Sequence, residues 1–165
     1  MISDDLINEL ISCPKQLKGT RLPKLIVKNR SSRCDIQCTS FDKKNSFTIF
    51  VRKSEVFIED FSVGLIWTNA RDENSTLQNC ILLRCQGPHD GKVDLGTDLH
   101  HSYHTHTLTS KDVAEHRFTK PSLRQSSDQF SSFEEAIYYF EKRCGIMGLR
   151  GILPHNNGEQ LSLLD

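Results

Sequence analysis

Apolar positions at the start of the chain recur with helical spacing. In "SDDLINELIS" the residues Leu6, Ile7, Leu10 and Ile11 form one stripe, and Ser3 or Asp4 stands where an N-cap belongs. A helix is therefore predicted over about residues 4–12, ended by Pro14. The period then shortens. "RCDIQCTS" (33–40), "SFTIFVRKS" (46–54) and "FSVGLIWTNA" (61–70) alternate or run rich in β-formers, and "STLQNCILLRC" (75–85) and "DLHHSYHTHT" (98–107) continue the pattern. Turn residues punctuate them in "DKKN", "ARDENS" and "QGPHDGK". Short turns between successive strands favour an antiparallel meander.

Helical spacing returns in "SSFEEAIYYFEKRCG". Ser132 is the predicted N-cap and Glu135 stands three residues on, as in a capping box; Phe133, Ala136, Ile137, Phe140 and Cys144 share one face, and Gly145 is the predicted stop. The preceding "RFTKPSLRQSSDQ" reads as loop. The pattern as a whole predicts an α+β fold: an antiparallel β-meander of about five to six strands, with an N-terminal helix and a C-terminal helix packed on the sheet. Residues 1–150 are expected to form a single domain, with 151–165 as a flexible tail.

Composition changes little in that picture. A chain of 165 residues is long enough for one real core, and no apolar run approaches the roughly 18 residues of a membrane helix. The opening "MISDDLINELISC" is acidic rather than basic and then apolar, so a cytoplasmic location is expected. Six cysteines at these spacings do not form a zinc knuckle. Cys34 and Cys38 fall on one strand face with Ile36 and are expected to be buried reduced thiols, whereas Cys80 and Cys85, on one straight strand, would point opposite ways.

Net charge is zero but unevenly spread. "PKQLKGTRLPKLIVKNRSSR" carries Lys15, Lys18, Arg21, Lys24, Lys28, Arg30 and Arg33 without an acid, a stretch suited either to a phosphate backbone or acidic partner, or to a solvated loop and strand edge.

The concentrated chemistry lies in "DLHHSYHTHT". On an extended strand Asp98, His100, Ser102, His104 and His106 share a face, with neighbouring same-face positions roughly 7 Å apart. Three readings remain open. The imidazoles decorate a polar surface; or His100, His104 and His106 hold a metal ion such as zinc, helped by Asp98 or His89; or they act without a cofactor as acid and base in phosphoryl chemistry. Arg84, at the end of "CILLRC", and His89, in the following turn, would approach the cluster if their strand neighbours it. No phosphate-binding glycine loop and no esterase elbow is present.

Taken together, "LISCPK", "LLRCQGPHDG", "HHSYHTHT" and "FSSFEEAIYYFEKRCGI" resemble, in order and rough spacing over about residues 8–146, an uncharacterised family of small bacterial domains. That family opens on an "LIxLPK" phrase and has a Gly-His turn, a histidine-rich strand and a closing helix. The layout also resembles the TumE-type toxins of bacterial toxin–antitoxin pairs. The resemblance implies a cytosolic bacterial protein encoded beside a protein partner, an antitoxin or a host defence component, and a toxin's action on RNA or translation. Arg84, Gly87, His89, His104 and His106 are the positions it carries over. The basic stretch at 15–33 and the pair Cys34 and Cys38 depart from the family's pattern. The function expected is a metal-independent endoribonuclease, with His104 and His106 as the acid–base pair, Arg84 and His89 steadying phosphate charge, and the basic stretch binding RNA. The alternatives are a protein-binding module without turnover and a zinc-binding structural protein.

Overall fold

The computed structural model describes residues 2–19, 25–71, 73–89 and 102–153. Helix α1 (Asp4–Ser12) is capped by Ser3, whose hydroxyl accepts from the Leu6 amide at 3.2 Å. It is followed by β1 (Lys15–Leu17), β2 (Ile26–Lys28), β3 (Ser31–Ser40), β4 (Ser46–Ser54), β5 (Phe61–Arg71), β6 (Leu77–Gln86) and β7 (His104–Thr107). A short helix α2 (Ser110–Ala114), an edge strand β8 (Leu123–Ser126), α3 (Phe133–Arg143) and α4 (Leu149–Ile152) complete the order. From β3 to β8 the sheet is an antiparallel meander, and β1 and β2 both pair with the outer edge of β3. The α+β class is as the pattern predicts, with eight strands rather than five or six.

The extra strands are three or four residues long, too short for a period to show, and two of them have no buried side. In β8 every residue is exposed, so nothing in "LRQS" alternates, and β2 is exposed throughout. Residues 151–153 also belong to the fold rather than to a tail: Gly151 and Ile152 end α4, and Leu153 is buried in the core. The remaining tail positions lie outside the described residues.

One face of the sheet is apolar. Cys34, Ile36, Cys38, Phe47, Ile49, Val51, Val63, Leu65 and Cys85 line it, and α1 and α3 lie against it at β5 and β6. The helices bury the stripes the sequence predicts: Ile7, Leu10 and Ile11 from α1, and Ala136, Ile137 and Phe140 from α3, followed by Cys144. Ser132 caps α3, but Glu135 turns its carboxylate to the amide and hydroxyl of Ser131, one residue earlier than a capping box requires. Gly145 ends the helix at φ +61°, where a side chain would press on the carbonyls of Ser12 and Cys13.

Cys80 and Cys85 do not point opposite ways. Leu65 pairs with Leu83 and Ile66 with Ile81, so Leu82 is an extra residue that reverses the alternation. Cys80, Leu83 and Cys85 then lie opposite Trp67, Leu65 and Val63 and are all buried. All six cysteines are free thiols. Burial pushes Cys38 and Cys144 up to about 12 and Cys34 and Cys80 up to about 11, which keeps them protonated and unreactive near neutral pH.

Lys15 is the first residue of the basic stretch, and it is not on the surface. Only 3% exposed, its ammonium donates to the carbonyls of Ile11 and Cys13 at 2.8 Å and of Cys144 at 2.9 Å. The C-terminal ends of α1 and α3, both electronegative, thus converge on one cation. In "LISCPK" the proline turns the chain back so that the lysine can close the helix it has just left. Its assignment to substrate binding is overturned: it is buried, and its ammonium is spent on three carbonyls of the chain itself.

Candidate functional site

The face of the sheet away from α1 and α3 carries two rows of side chains, set by the strand register. One row runs Asp35, Phe50, Gly64, Arg84, His106, Arg124 from β3 to β8, and the next runs Arg33, Arg52, Ser62, Gln86, His104, Ser126. Four arginines and two histidines therefore share a surface assembled from six strands. Lys28 on β2 borders the same face, where with Ser31, Arg33, Asp35 and Arg52 it lines an open cleft of about 650 Å³.

Phe50 organises the arginines. Its ring lies across Gly64, which has no side chain to displace it. The guanidinium of Arg33 sits 5.2 Å from the ring centre and that of Arg84 5.7 Å, both within cation–π reach. Arg33 is paired with Asp35 at 3.0 Å and Arg52 with Asp60 at 2.6 Å. Arg84 differs. Among the described residues it makes no ion pair, and its Nε is buried without a hydrogen-bond partner. Burial, then the charges of Arg52 and Arg33, lower its pKa. An arginine stays charged in proteins, so the shift measures how poorly that charge is compensated.

Beside Arg84 the imidazoles stand in line. The rings of His89 and His104 are 5.5 Å apart and those of His104 and His106 5.0 Å. His104 Nδ1 lies 2.8 Å from the Ser102 carbonyl, His106 Nδ1 3.4 Å from that of Pro121, and His89 Nδ1 3.3 Å from that of Gly87. A carbonyl only accepts, so each Nδ1 carries a proton. Burial, then His104, lowers His106 to about 4, with Arg124 and Arg84 acting the same way and the Pro121 contact opposing. His106 is thus neutral across the physiological range, and among the described residues its Nε2 has no hydrogen-bond partner. Both rings are buried, His104 fully and His106 with 6% exposed.

Two further elements hold this arrangement. Gly87 brings the turn before His89 against the backbone of Glu59, leaving no room for a Cβ. Asp112, wholly buried, accepts from the Thr109 amide and hydroxyl and the Ser122 amide and pairs with Arg117 at 2.7 Å. That anchors the segment carrying the Pro121 carbonyl. Burial alone would raise the Asp112 carboxyl, but its hydrogen bonds from Ser122 and Thr109 hold it below the ordinary range.

Of the residues singled out in the sequence, the structure brings together Arg84, His89, His104 and His106. His100, Asp98, Arg21 and Lys24 lie outside the described residues. Lys18, Lys28, Arg30 and Arg33 are exposed, and Lys28 and Arg33 lie on the histidine face. Phe50, Arg52 and Arg124 were not singled out; they become visible only when the register aligns them with Arg84 and His106. Among the described residues no three His, Cys, Asp or Glu side chains are arranged to hold a metal ion, and two arginines flank His106, which favours an anion over a dication. No family model, curated protein or solved structure matches the chain.

Proposed function

We propose that this face binds RNA through its phosphates and that Arg84, His104 and His106 form a metal-independent phosphodiester-cleaving centre. The observation that carries the reading is Arg84: a half-buried cation with no acid paired to it among the described residues, stacked on Phe50, across the register from a neutral imidazole. A phosphate oxygen supplies the missing acceptor. Arg33, Arg52 and Arg124 extend the positive track over about five inter-strand spacings, roughly 24 Å, enough for several nucleotides.

In this reading His106 Nε2 takes the proton of a 2′-hydroxyl. The 2′ oxygen attacks phosphorus, the bond to the 5′ oxygen breaks, and a cyclic 2′,3′-phosphate forms. Protonated His104 gives its proton to the leaving 5′ oxygen, while Arg84 steadies the charge on the phosphorane. The partner this role calls for is an antitoxin-like or defence protein that covers the face until release. Co-expression with a protein encoded beside it should relieve any growth arrest the chain causes.

A binding role without turnover is favoured by one observation, the burial of both imidazoles. Incubation of short single-stranded RNA with the protein in EDTA separates the two. Cleavage products ending in cyclic phosphate, lost in His106→Ala and in His104→Ala, are expected. RNA that is retained but intact in the unaltered protein leaves only binding, and RNA neither retained nor cut removes the proposal.

A further inference from the structure

The end of the sheet formed by the β2–β3 turn and the β4–β5 loop is built to display apolar side chains. Val56, Phe57 and Ile58 are consecutive in that loop and exposed, Phe57 at 62% and Ile58 at 74%. The loop is well tied. The Val56 and Phe57 amides donate to the Ser54 hydroxyl, Ser54 and Asp60 bond the loop's two ends, and the Asp60 amide reaches the Phe57 carbonyl. Next to it the Glu55 amide donates to the Arg30 carbonyl at 2.8 Å, which sets the loop against the hairpin bearing exposed Ile26 and Val27. Three adjacent large apolar side chains on one loop, with two more on the adjoining hairpin, one on each of its faces, exceed what scattered surface residues supply.

The flanking charges differ between the two parts. Glu55 and Glu59 bracket the loop's apolar residues, while Lys28 and Arg30 follow those of the hairpin. We propose that this end is a self-association surface, occupied by a second copy of the chain. In a two-fold arrangement the acidic, apolar loop of each copy lies on the basic, apolar hairpin of the other, and both contacts form at once. The acids on the loop argue against an anionic membrane as the occupant. The interface is modest, and a dissociation constant on the order of 10 μM is expected.

Sedimentation velocity over a concentration series tests this. The unaltered chain should pass from monomer to dimer, and Phe57→Asp should remain monomeric. The charge variants are more specific. Glu55→Lys with Glu59→Lys, and separately Lys28→Glu with Arg30→Glu, should each weaken self-association at least about tenfold. An equimolar mixture of the two should restore dimer, since each loop then meets an opposite hairpin. A chain monomeric at every concentration overturns the proposal, as does a dimer indifferent to Phe57→Asp or a mixture that fails to pair. Monomer that instead binds phosphatidylserine vesicles through Phe57 overturns it in favour of a lipid surface.

Discussion

Lys15 and Arg84 are both cations withdrawn from water, and the difference between them is informative. The Lys15 ammonium has three donors and three carbonyl acceptors, at two helix ends and over the Phe47 ring. Its hydrogen bonding is complete within the chain. Arg84 has an aromatic ring beneath it, two other guanidiniums nearby, and a buried Nε with no acceptor among the described residues. One cation completes the fold; the other leaves an electrostatic deficit that an anion from outside would fill. Burying a charged group without compensation opposes folding, so a site that keeps one is organised around something else.

The largest expected effect that separates the two is on stability. Lys15→Met should cost about 3 kcal/mol or more in urea unfolding, because it leaves carbonyls of two helices without a donor. Arg84→Met, of similar shape, should change stability by less than about 1 kcal/mol, and in the favourable direction. Equal losses in both variants would erase the distinction.

Next in size is the acid side of the stability profile. His106 titrates near 4 in the folded protein and near 6.5 when unfolded. Between those values the unfolded chain binds more protons, so this residue's contribution is present above about pH 6.5 and is lost as pH falls toward 4. The loss amounts to at most about 3 kcal/mol. Chemical denaturation at several pH values should therefore show a shallower decline for His106→Asn than for the unaltered chain. Parallel profiles would place the imidazole in a wetter setting than described.

A smaller effect belongs to the rim of the track. Arg124→Ala should weaken RNA binding severalfold for every sequence alike and reduce the salt dependence by about one phosphate contact. Asp112→Asn should act less directly. It frees Ser122 and the Pro121 carbonyl, so it should move the pH dependence of any cleavage more than the affinity for RNA.

Much of the fold is legible in the sequence because burial leaves a period. The stripes of α1 and α3, the Ser3 and Ser132 caps and the alternation of β3 to β6 follow from that. The bulge at Leu82 is invisible, since one extra apolar residue in "CILLRC" looks the same in either alternation. The strand β8 is missed because an exposed edge has no apolar side to mark it. The site is half legible. Clustered imidazoles and the nearby Arg84 stand out as residue types, but their adjacency depends on β6 pairing with β7, and Phe50 and Arg124 depend on register alone. Lys15 shows the opposite difficulty: a lysine in a basic run looks like surface until its three carbonyls are in view.

The most direct measurement pairs RNA binding with unfolding for a single variant. Fluorescence anisotropy of a labelled single-stranded RNA, titrated with Arg84→Met and with the unaltered chain at one salt concentration, should show at least about a tenfold loss of affinity, while urea unfolding of the variant shows no loss of stability. Undiminished RNA binding by a fully folded Arg84→Met would contradict the claim that this guanidinium is held for a phosphate.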